Sequence, residues 1–505
     1  MAPAATAGTP ADVALLLEGT YPYVAGGVSA WVDQVLGAHA DRRFALLHIG
    51  PYPGAYREPV YTLPANVVGM TEIYCRSSEP DDGPRRRSMP TVTRRKSGAS
   101  RSHVLGALRQ LHLTDVVDDQ LLSGLAAGDL SVGELLHGSE SFQLCRELYD
   151  VLGAGAPFMD FFWHFRAMHV PLLRVLAAPC PRAGLLHAVS TGYAGVVGSV
   201  NSLRGAVPLV LTEHGLYARE REMELGRASW IQDNRGPIGT TRASPLRRFW
   251  AHYFRMLSRI AYWRASRILT LSEDNLAKQL SDGADATKCT VVPNGVKHEP
   301  LPEPPARLAR GTSPPHRMRV GFVGRVVPIK DVVTLIRAIG LARRQVDLEA
   351  WIVGPEDEDP VYAARCRAMV SELGLEDSIE FLGRQRVSEI YPQLDVLVLT
   401  SFSEGQPLVI LEAFANGLPV IATDVGACRE LIEGGGPDKA LGRSGIVTRV
   451  ANPADTAAAL VELARRPQLR HEMGAIGAAR VAARYKLEQV VASYDSLYSS
   501  CLVSP

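Results

Sequence analysis

The sequence predicts an α/β protein with two doubly wound parallel-sheet domains, on the basis of two observations. Short apolar strands alternate with amphipathic helices in both halves of the chain, the pattern of a parallel sheet covered on both faces. A proline-dense segment, residues 301–318, separates the halves and predicts a linker. Ligands of such sheets bind outside the carboxyl ends of the strands, so we expect a site in an interdomain cleft.

The first half opens with the strand "DVALLLEG", a glycine turn, the helix "AWVDQVLGAHA" and the strand "RFALLHIG". This order predicts a βαβ unit. The turn contains Gly26 and Gly27, where backbone without a side chain can approach a ligand closely; a plain tight turn is the alternative. Residues 105–180 have a helical, leucine-rich pattern, and strands resume near 184–190 and 208–215.

One segment of the first half departs from this pattern. Residues 85–101, "RRRSMPTVTRRKSGASR", hold seven Lys or Arg and no acid. Their apolar content is too low for burial, which predicts a mobile, solvated loop. Contact with an anionic membrane surface or an acidic partner is the alternative.

The second half is more regular. Its strands are "RVGFVGR", "LEAWIVG", "IEFLG", "DVLVLTS", "PVIATD" and "GIVTRV", with helices between them. One of these helices begins with Asn452 as cap and Pro453 at its first position, as helix starts prefer. We therefore predict domains over 1–300 and 319–485 and a final helix within 486–505.

Composition limits the class of protein. The chain has 505 residues, 46% hydrophobic and 21% charged, with a formal net charge of +1, which does not indicate a nucleic-acid binder. Its seven cysteines are scattered without CxxC spacing, so neither a disulfide framework nor a structural zinc site is expected. The first residues lack a basic segment ahead of their apolar run, and no run is long enough to cross a bilayer. We expect a cytoplasmic protein.

Two basic residues follow the first strand of the second domain. Arg325 and Lys330 lie in "VGRVVPIKD", between strand and helix. The helix N-terminus presents free N–H groups and partial positive charge, and two cations beside it suit a diphosphate. The alternative is a surface loop with two exposed bases.

Two carboxylates follow a later strand. Glu404, next to Gly405, comes after "DVLVLTS", and Pro407 is predicted as the first residue of the helix that contains Glu412. Carboxylates accept hydrogen bonds from vicinal hydroxyls of a sugar or ribose. The alternative is that Glu404 caps the helix and Glu412 lies on its solvent face. His214, in "TEHGLYARERE", follows a strand of the first domain and is a further candidate; a structural histidine is the alternative.

Taken together, "GRVVPIK", "SEGQPLVILEA" and "PNGV" resemble the retaining glycosyltransferases of family 4, which have the GT-B architecture of two Rossmann-like domains facing a cleft. More narrowly, "LLLEGTYPYVAGGVSAWV" and "TEHGLYARERE" resemble the cytosolic glycosyltransferases of Pel exopolysaccharide systems. The resemblance implies an acceptor-side first domain, a nucleotide-sugar-binding second domain and a terminal helix that crosses back onto the first.

The resemblance also implies a role for each matching residue. Arg325 and Lys330 would hold the diphosphate, Glu404 the hydroxyls of the donor sugar, and Glu412 the ribose. His214 would contact the donor sugar or lend charge at the reacting carbon. The glycine turn would approach the diphosphate. Backbone N–H groups would reach the sugar or phosphate from the segment that begins the helix, namely Gly405, Gln406 and Pro407, next to Leu408 in the same donor site.

The implied reaction uses a UDP-sugar donor and a polysaccharide acceptor, without cofactor, metal or nucleic acid, and beside inner-membrane synthase proteins at the inner face of the membrane. Two cations already neutralise the diphosphate. The triplet Asp357, Glu358 and Asp359 mimics a metal-binding motif, but we predict a solvated acidic turn there. A nucleotide-sugar epimerase and a non-catalytic nucleotide-sugar sensor are the alternative functions.

Overall fold

The structure is a computed structural model. It describes residues 10–56, 58–77, 98–128, 130–228, 230–231, 234–235, 241–242, 244–297 and 317–503. The chain forms two compact units. Unit 1 comprises Met1–Thr270, Lys278–Thr290 and Asp495–Pro505, and unit 2 comprises Leu271–Ala277 and Val291–Tyr494.

Unit 1 is built on a sheet with the strand order β3-β2-β1-β4-β5-β8-β9, and the pairings from β3 to β8 are parallel. The interior strand β1 is buried along most of its length, as a parallel strand covered on both faces should be. The strands of this part of the chain, with a small antiparallel hairpin of β6 and β7, are β1 (Ala11–Glu18), β2 (Phe44–Gly50), β3 (Val67–Tyr74), β4 (Ala183–Ala188), β5 (Leu209–Glu213), β6 (Asn234–Arg235), β7 (Thr241–Arg242), β8 (Arg267–Thr270) and β9 (Cys289–Val291).

A run of helices, α2 to α6, lies between β3 and β4, where the sequence predicts helical structure. Their apolar faces share one core with a later long helix, and this core includes Leu108, Phe161 and Phe249. The helices described between residues 27 and 282 are α1 (Gly27–Ala38), α2 (Gly98–Leu113), α3 (Asp119–Ala127), α4 (Val132–His137), α5 (Ser139–Leu152), α6 (Phe158–Ala177), α7 (Tyr193–Gly205), α8 (Tyr217–Arg227), α9 (Pro245–Arg264) and α10 (Glu273–Asp282).

Unit 2 contains a parallel sheet with the order β12-β11-β10-β13-β14-β15. Apolar residues of its strands pack against flanking helices, as Val320, Ile336 and Leu460 do. Its strands are β10 (Met318–Val323), β11 (Leu348–Val353), β12 (Ile379–Gly383), β13 (Val396–Leu399), β14 (Val420–Thr423) and β15 (Gly445–Thr448). The helices of this part of the chain are α11 (Val332–Ala342), α12 (Pro360–Glu372), α13 (Val387–Ile390), α14 (Leu408–Ala415), α15 (Cys428–Glu433), α16 (Pro453–Arg465), α17 (Pro467–Arg484) and α18 (Leu487–Val503).

The sheets confirm the predicted fold class of two doubly wound parallel-sheet domains. The predicted cap of α16 is also present, because Asn452 accepts a hydrogen bond from the N–H of Asp455 at 3.0 Å. The last residues of α18 belong to unit 1, where Asp495 pairs with Arg42 at 2.5 Å and the hydroxyl of Tyr498 lies 2.8 Å from Nδ1 of His187.

Three predicted boundaries were wrong by a few residues. Residues 98–101, assigned to the basic loop, form the first turn of α2. Met318, assigned to the linker, is the first residue of β10 and is paired with Leu348. Helix α14 begins at Leu408 rather than Pro407, which has extended backbone and precedes the first turn. The remainder of the predicted loop, 85–97, and residues 301–316 of the linker lie outside the described residues.

Among the helices that the structure describes, none combines the length and the apolar composition needed to span a bilayer.

Candidate functional site

The predicted site residues of unit 2 lie in the turns that follow two neighbouring strands. β10 ends at Val323 and β13 at Leu399, and these strands pair with each other in parallel. The turn with Arg325 and Lys330 therefore lies beside the turn with Glu404, at the sheet edge where ligands of such folds bind.

The structure joins Lys330 to Glu404. Their Nζ and Oε1 atoms are 2.6 Å apart, and the side chains are only 19% and 9% exposed. Ser401 donates a second hydrogen bond to the same carboxylate oxygen at 2.5 Å. A charged pair with so little solvent contact is held firmly and presents one cation and one carboxylate at a single point.

A helix cap and a close backbone approach shape this pair of turns. Asp331, in a left-handed conformation with φ of 46°, caps α11 by accepting from the N–H of Thr334 at 3.3 Å. Gly426 also has positive φ, and a Cβ atom there would lie 2.0 Å from the carbonyl oxygen of Glu404. Only glycine fits at position 426, because the backbone of residue 426 packs directly against the backbone of Glu404.

Glu412 lies in the second turn of α14 and is partly buried. It accepts a hydrogen bond from the hydroxyl of Tyr391 at 2.6 Å. Burial raises the pKa of its carboxyl, and the Tyr391 hydrogen bond opposes that rise. Glu412 is therefore not on a solvated helix face, the alternative that the sequence left open.

The side chain of Gln406 forms hydrogen bonds within unit 2. Its Oε1 accepts from the N–H of Asn294 at 2.5 Å, and its Nε2 donates to the carbonyl of Leu271 at 2.9 Å. The carbonyl of the neighbouring Gly405 accepts from the N–H of Ala427 at 2.9 Å. Pro407 has no N–H group, so the prediction that its backbone donates to a ligand was wrong.

Arg325 is more open than Lys330. Its Nη1 lies 2.5 Å from Glu358 Oε1, and the two side chains are 36% and 47% exposed. The other acids of the triplet are engaged as well: Asp357 pairs with Arg384 at 3.1 Å, and Asp359 accepts from the N–H of Tyr362 at 2.9 Å. Within the described part of the chain, no cluster of three or more His, Cys, Asp or Glu could hold a metal ion.

His214 lies in unit 1, directly after β5. It is 8% exposed, and its ring packs edge-on against Trp31 with centroids 4.6 Å apart. Burial lowers its pKa to about 3. The imidazole is therefore neutral near pH 7 in this structure, which favours contact with the donor sugar among the two roles that the resemblance implied.

Gly26 and Gly27 are exposed at the start of α1 in unit 1. A Cβ atom at either position would meet no other atom within 4 Å. Internal packing therefore does not require glycine at this turn, and both positions remain candidates for close approach by a ligand.

Sequence reasoning missed Glu213, the residue before His214. It is 1% exposed and accepts hydrogen bonds from Tyr262 at 2.5 Å, Gln279 at 2.7 Å and Thr191 at 2.9 Å. It also accepts from the N–H of Tyr217 at 3.1 Å, which fixes the turn that carries His214. Burial raises the pKa of its carboxyl. The sequence feature that could have identified Glu213 is an acidic residue at the end of an apolar strand.

Comparison with known proteins gives matches along both units. Residues 11–287 match the family described as a domain of unknown function, DUF3492. Residues 317–466 match the family described as glycosyl transferases group 1.

Two curated relatives match in part. The MMP alpha-(1->4)-mannosyltransferase of Mycolicibacterium hassiacum is 27% identical over 303 residues, covering 58% of this chain and 66% of that protein. The D-inositol 3-phosphate glycosyltransferase of Geodermatophilus obscurus is 32% identical over 258 residues, covering 47% of this chain and 53% of that protein. The chain thus spans between half and two thirds of the length of these relatives.

Among solved structures, Anabaena HepE in complex with UDP aligns over 97% of this chain and 100% of its own, with a TM-score of 0.56 and 16% identity. The likeness confirms the GT-B fold. Because the first match covers more than half of the 505 residues, the chain belongs to the DUF3492 family, here joined to a domain that matches glycosyl transferases group 1.

Proposed function

We propose that this protein is a retaining glycosyltransferase that transfers a hexose or N-acetylhexosamine from a UDP-sugar to a growing polysaccharide, in Pel-type exopolysaccharide synthesis, without a metal ion. The observation that carries the proposal is the Lys330–Glu404 pair, 2.6 Å apart and mostly buried, at the carboxyl ends of two neighbouring strands. It sets a phosphate-binding cation beside a hydroxyl-binding carboxylate.

The chemistry follows from charge. When the bond from the sugar to the diphosphate breaks, negative charge grows on the leaving oxygen and positive charge on the sugar ring. A fixed ammonium at Lys330, with the guanidinium of Arg325, stabilises the leaving group more than the ground state, and such preorganised charge is a large catalytic term. Glu404 would hold the donor sugar in a reactive position through its hydroxyls.

Glu412 extends the proposal to the nucleoside. Its carboxylate keeps accepting capacity beyond the Tyr391 hydrogen bond, and it lies eight positions after Glu404 in the chain. We assign it to the ribose hydroxyls. Neutral His214 serves as a hydrogen-bonding contact to the donor sugar.

The choice of UDP and of a glycosyl donor rests on likeness. HepE was solved with UDP, as its structure's description states, and the curated relatives are described as a mannosyltransferase and a glycosyltransferase. The retaining outcome rests on the motifs "GRVVPIK", "SEGQPLVILEA" and "PNGV". The Pel-type role rests on "LLLEGTYPYVAGGVSAWV" and "TEHGLYARERE".

The proposal is tested by incubating the protein with UDP-glucose, UDP-N-acetylglucosamine or UDP-N-acetylgalactosamine in the presence of EDTA, with and without oligosaccharide acceptors. NMR spectra monitor the donor and the products. Transfer should release UDP and give a product whose anomeric proton keeps the α coupling of the donor. Lys330→Ala should reduce the rate by about a hundredfold. The exposed Lys439 supplies the control variant Lys439→Ala, which should keep the parent rate.

Other results would redirect the assignment. Conversion of the donor to its epimer without acceptor would indicate an isomerase. Donor binding without UDP release would indicate a sensor. A β product would exclude the retaining mechanism.

A further inference from the structure

A tyrosine cluster on unit 1 takes no part in the donor chemistry proposed above. It lies at the carboxyl ends of β1, β2 and β3, which are adjacent in the sheet. We define the cluster as Tyr23, Tyr56 and Tyr74 together with Glu72 and His48.

Glu72 is the polar centre of the cluster. The hydroxyls of Tyr23 and Tyr74 both donate to its carboxylate, one to each oxygen, the second at 2.9 Å. Glu72 itself is exposed, so each carboxylate oxygen can accept further hydrogen bonds. Burial and the neighbouring Glu72 raise the pKa of Tyr74 to about 12, so its hydroxyl keeps its proton.

The rings provide an apolar surface next to that carboxylate. Tyr23 and Tyr56 stack in parallel, with centroids 5.3 Å apart and planes 10° apart. Both are half-buried, so part of the stack remains open. An aromatic surface bordered by hydrogen-bonding groups fits a ligand that has one apolar face and several hydroxyls.

Two buried polar atoms lack a hydrogen-bond partner among the residues that the structure describes, one on the cluster residue His48 and one on Thr20, three residues before Tyr23. His48 is 0% exposed, its ring lies 4.9 Å from that of Tyr23, and its Nδ1 is 3.1 Å from the carbonyl of Tyr21. Its Nε2 has no hydrogen-bond partner in the described structure, and neither does Oγ1 of Thr20 at the end of β1. Orphan polar atoms of this kind cost about 1–3 kcal/mol each, a cost that a buried water bridging them to a bound polar ligand would offset.

We infer that this tyrosine cluster is a binding site for a neutral saccharide unit of the acceptor. The C–H face of a sugar ring would lie on the Tyr23–Tyr56 stack, and vicinal hydroxyls would donate to Glu72. An anionic ligand such as a phosphate is disfavoured, because Glu72 would repel it. The inference rests on the proposed transferase function, since it makes the acceptor a sugar.

Saturation-transfer NMR tests the site. The probes are the methyl α-glycosides of glucose, galactose, N-acetylglucosamine and N-acetylgalactosamine, each added to the parent, Tyr23→Ala and Glu72→Gln. Glu72 is exposed, so its replacement keeps the fold even if Tyr23→Ala does not. Tyr52→Ala is the control, because Tyr52 is 49% exposed and makes none of the contacts that define the cluster.

We expect saturation transfer to at least one probe from the parent and from Tyr52→Ala, with affinity about tenfold weaker in the two cluster variants. Absence of transfer for every probe in the parent, or equal affinity in parent and variants, would overturn the inference. Titration of the same four proteins with UDP tests the donor assignment separately from the saccharide site. UDP should bind the parent and the three variants with the same affinity.

Discussion

The ion pair between Lys330 and Glu404 allows a quantitative prediction. At the 2.6 Å that separates Nζ from Oε1, two opposite unit charges attract by about 6 kcal/mol at an effective dielectric constant of about 20. Desolvation of side chains that are only 19% and 9% exposed and the ordering of the lysine offset part of that energy, leaving a coupling of about 2 kcal/mol. Lys330→Ala alone should destabilise unit 2 by more than this, because it leaves a buried carboxylate with Ser401 as its remaining donor.

The assay is a double-mutant cycle of Lys330→Ala, Glu404→Gln and the double variant. Hydrogen exchange of the β13 amides gives the free energy of opening of unit 2, which avoids treating two units as one cooperative transition. We expect the double variant to be more stable than the sum of the single changes by about 2 kcal/mol, a factor of about 30 in exchange rate. Strict additivity of the single changes would refute the reasoning, because the two groups would then not interact.

Three further predictions concern stability. Arg480→Met should cost about 3 kcal/mol in hydrogen exchange of α17, because it removes the nearer of the two arginines that pair with the buried Asp438: Arg480 Nε lies 3.0 Å from its carboxylate and Arg484 Nη1 lies 3.5 Å from it. Unchanged exchange would contradict this. His169 touches His112 at 2.9 Å, and burial lowers its pKa to about 4. The unfolded chain therefore binds the proton first, so the melting temperature of unit 1 should fall as pH drops below about 6.5, and a flat profile between pH 7 and about 4 would exclude this role. Asn452→Ala should cost about 1 kcal/mol through loss of the α16 cap, measured by exchange of the first turn.

The sequence predicts those parts of the structure that depend on local pattern. Apolar strand runs, the glycine turn at Gly26 and the cap at Asn452 each reflect a preference within a few residues. Strand-to-helix turns could also be located, which places Arg325, Lys330 and Glu404 at strand ends. These features specify the fold class and the candidate residues.

Contacts between distant residues could not be predicted in the same way. Lys330 and Glu404 are 74 residues apart, and their meeting depends on β10 and β13 being neighbours in the sheet. Gln406 forms hydrogen bonds with Asn294, which is 112 positions earlier in the chain, and with Leu271, which is 135 positions earlier. No local sequence pattern could therefore predict these hydrogen bonds. The burial of His214 against Trp31 likewise arises from packing between a strand end and a helix, and it changes the charge of the ring.

Calorimetric titration of the protein with UDP, ADP and GDP, with and without EDTA, tests directly whether the Lys330–Glu404 pair binds a nucleotide-sugar donor. We expect that UDP binds most tightly, that EDTA has no effect, and that Lys330→Ala weakens binding by at least about tenfold. Equal UDP affinity in Lys330→Ala, or no binding of any of the three nucleotides, would contradict the assignment of the Lys330–Glu404 pair to a nucleotide-sugar donor.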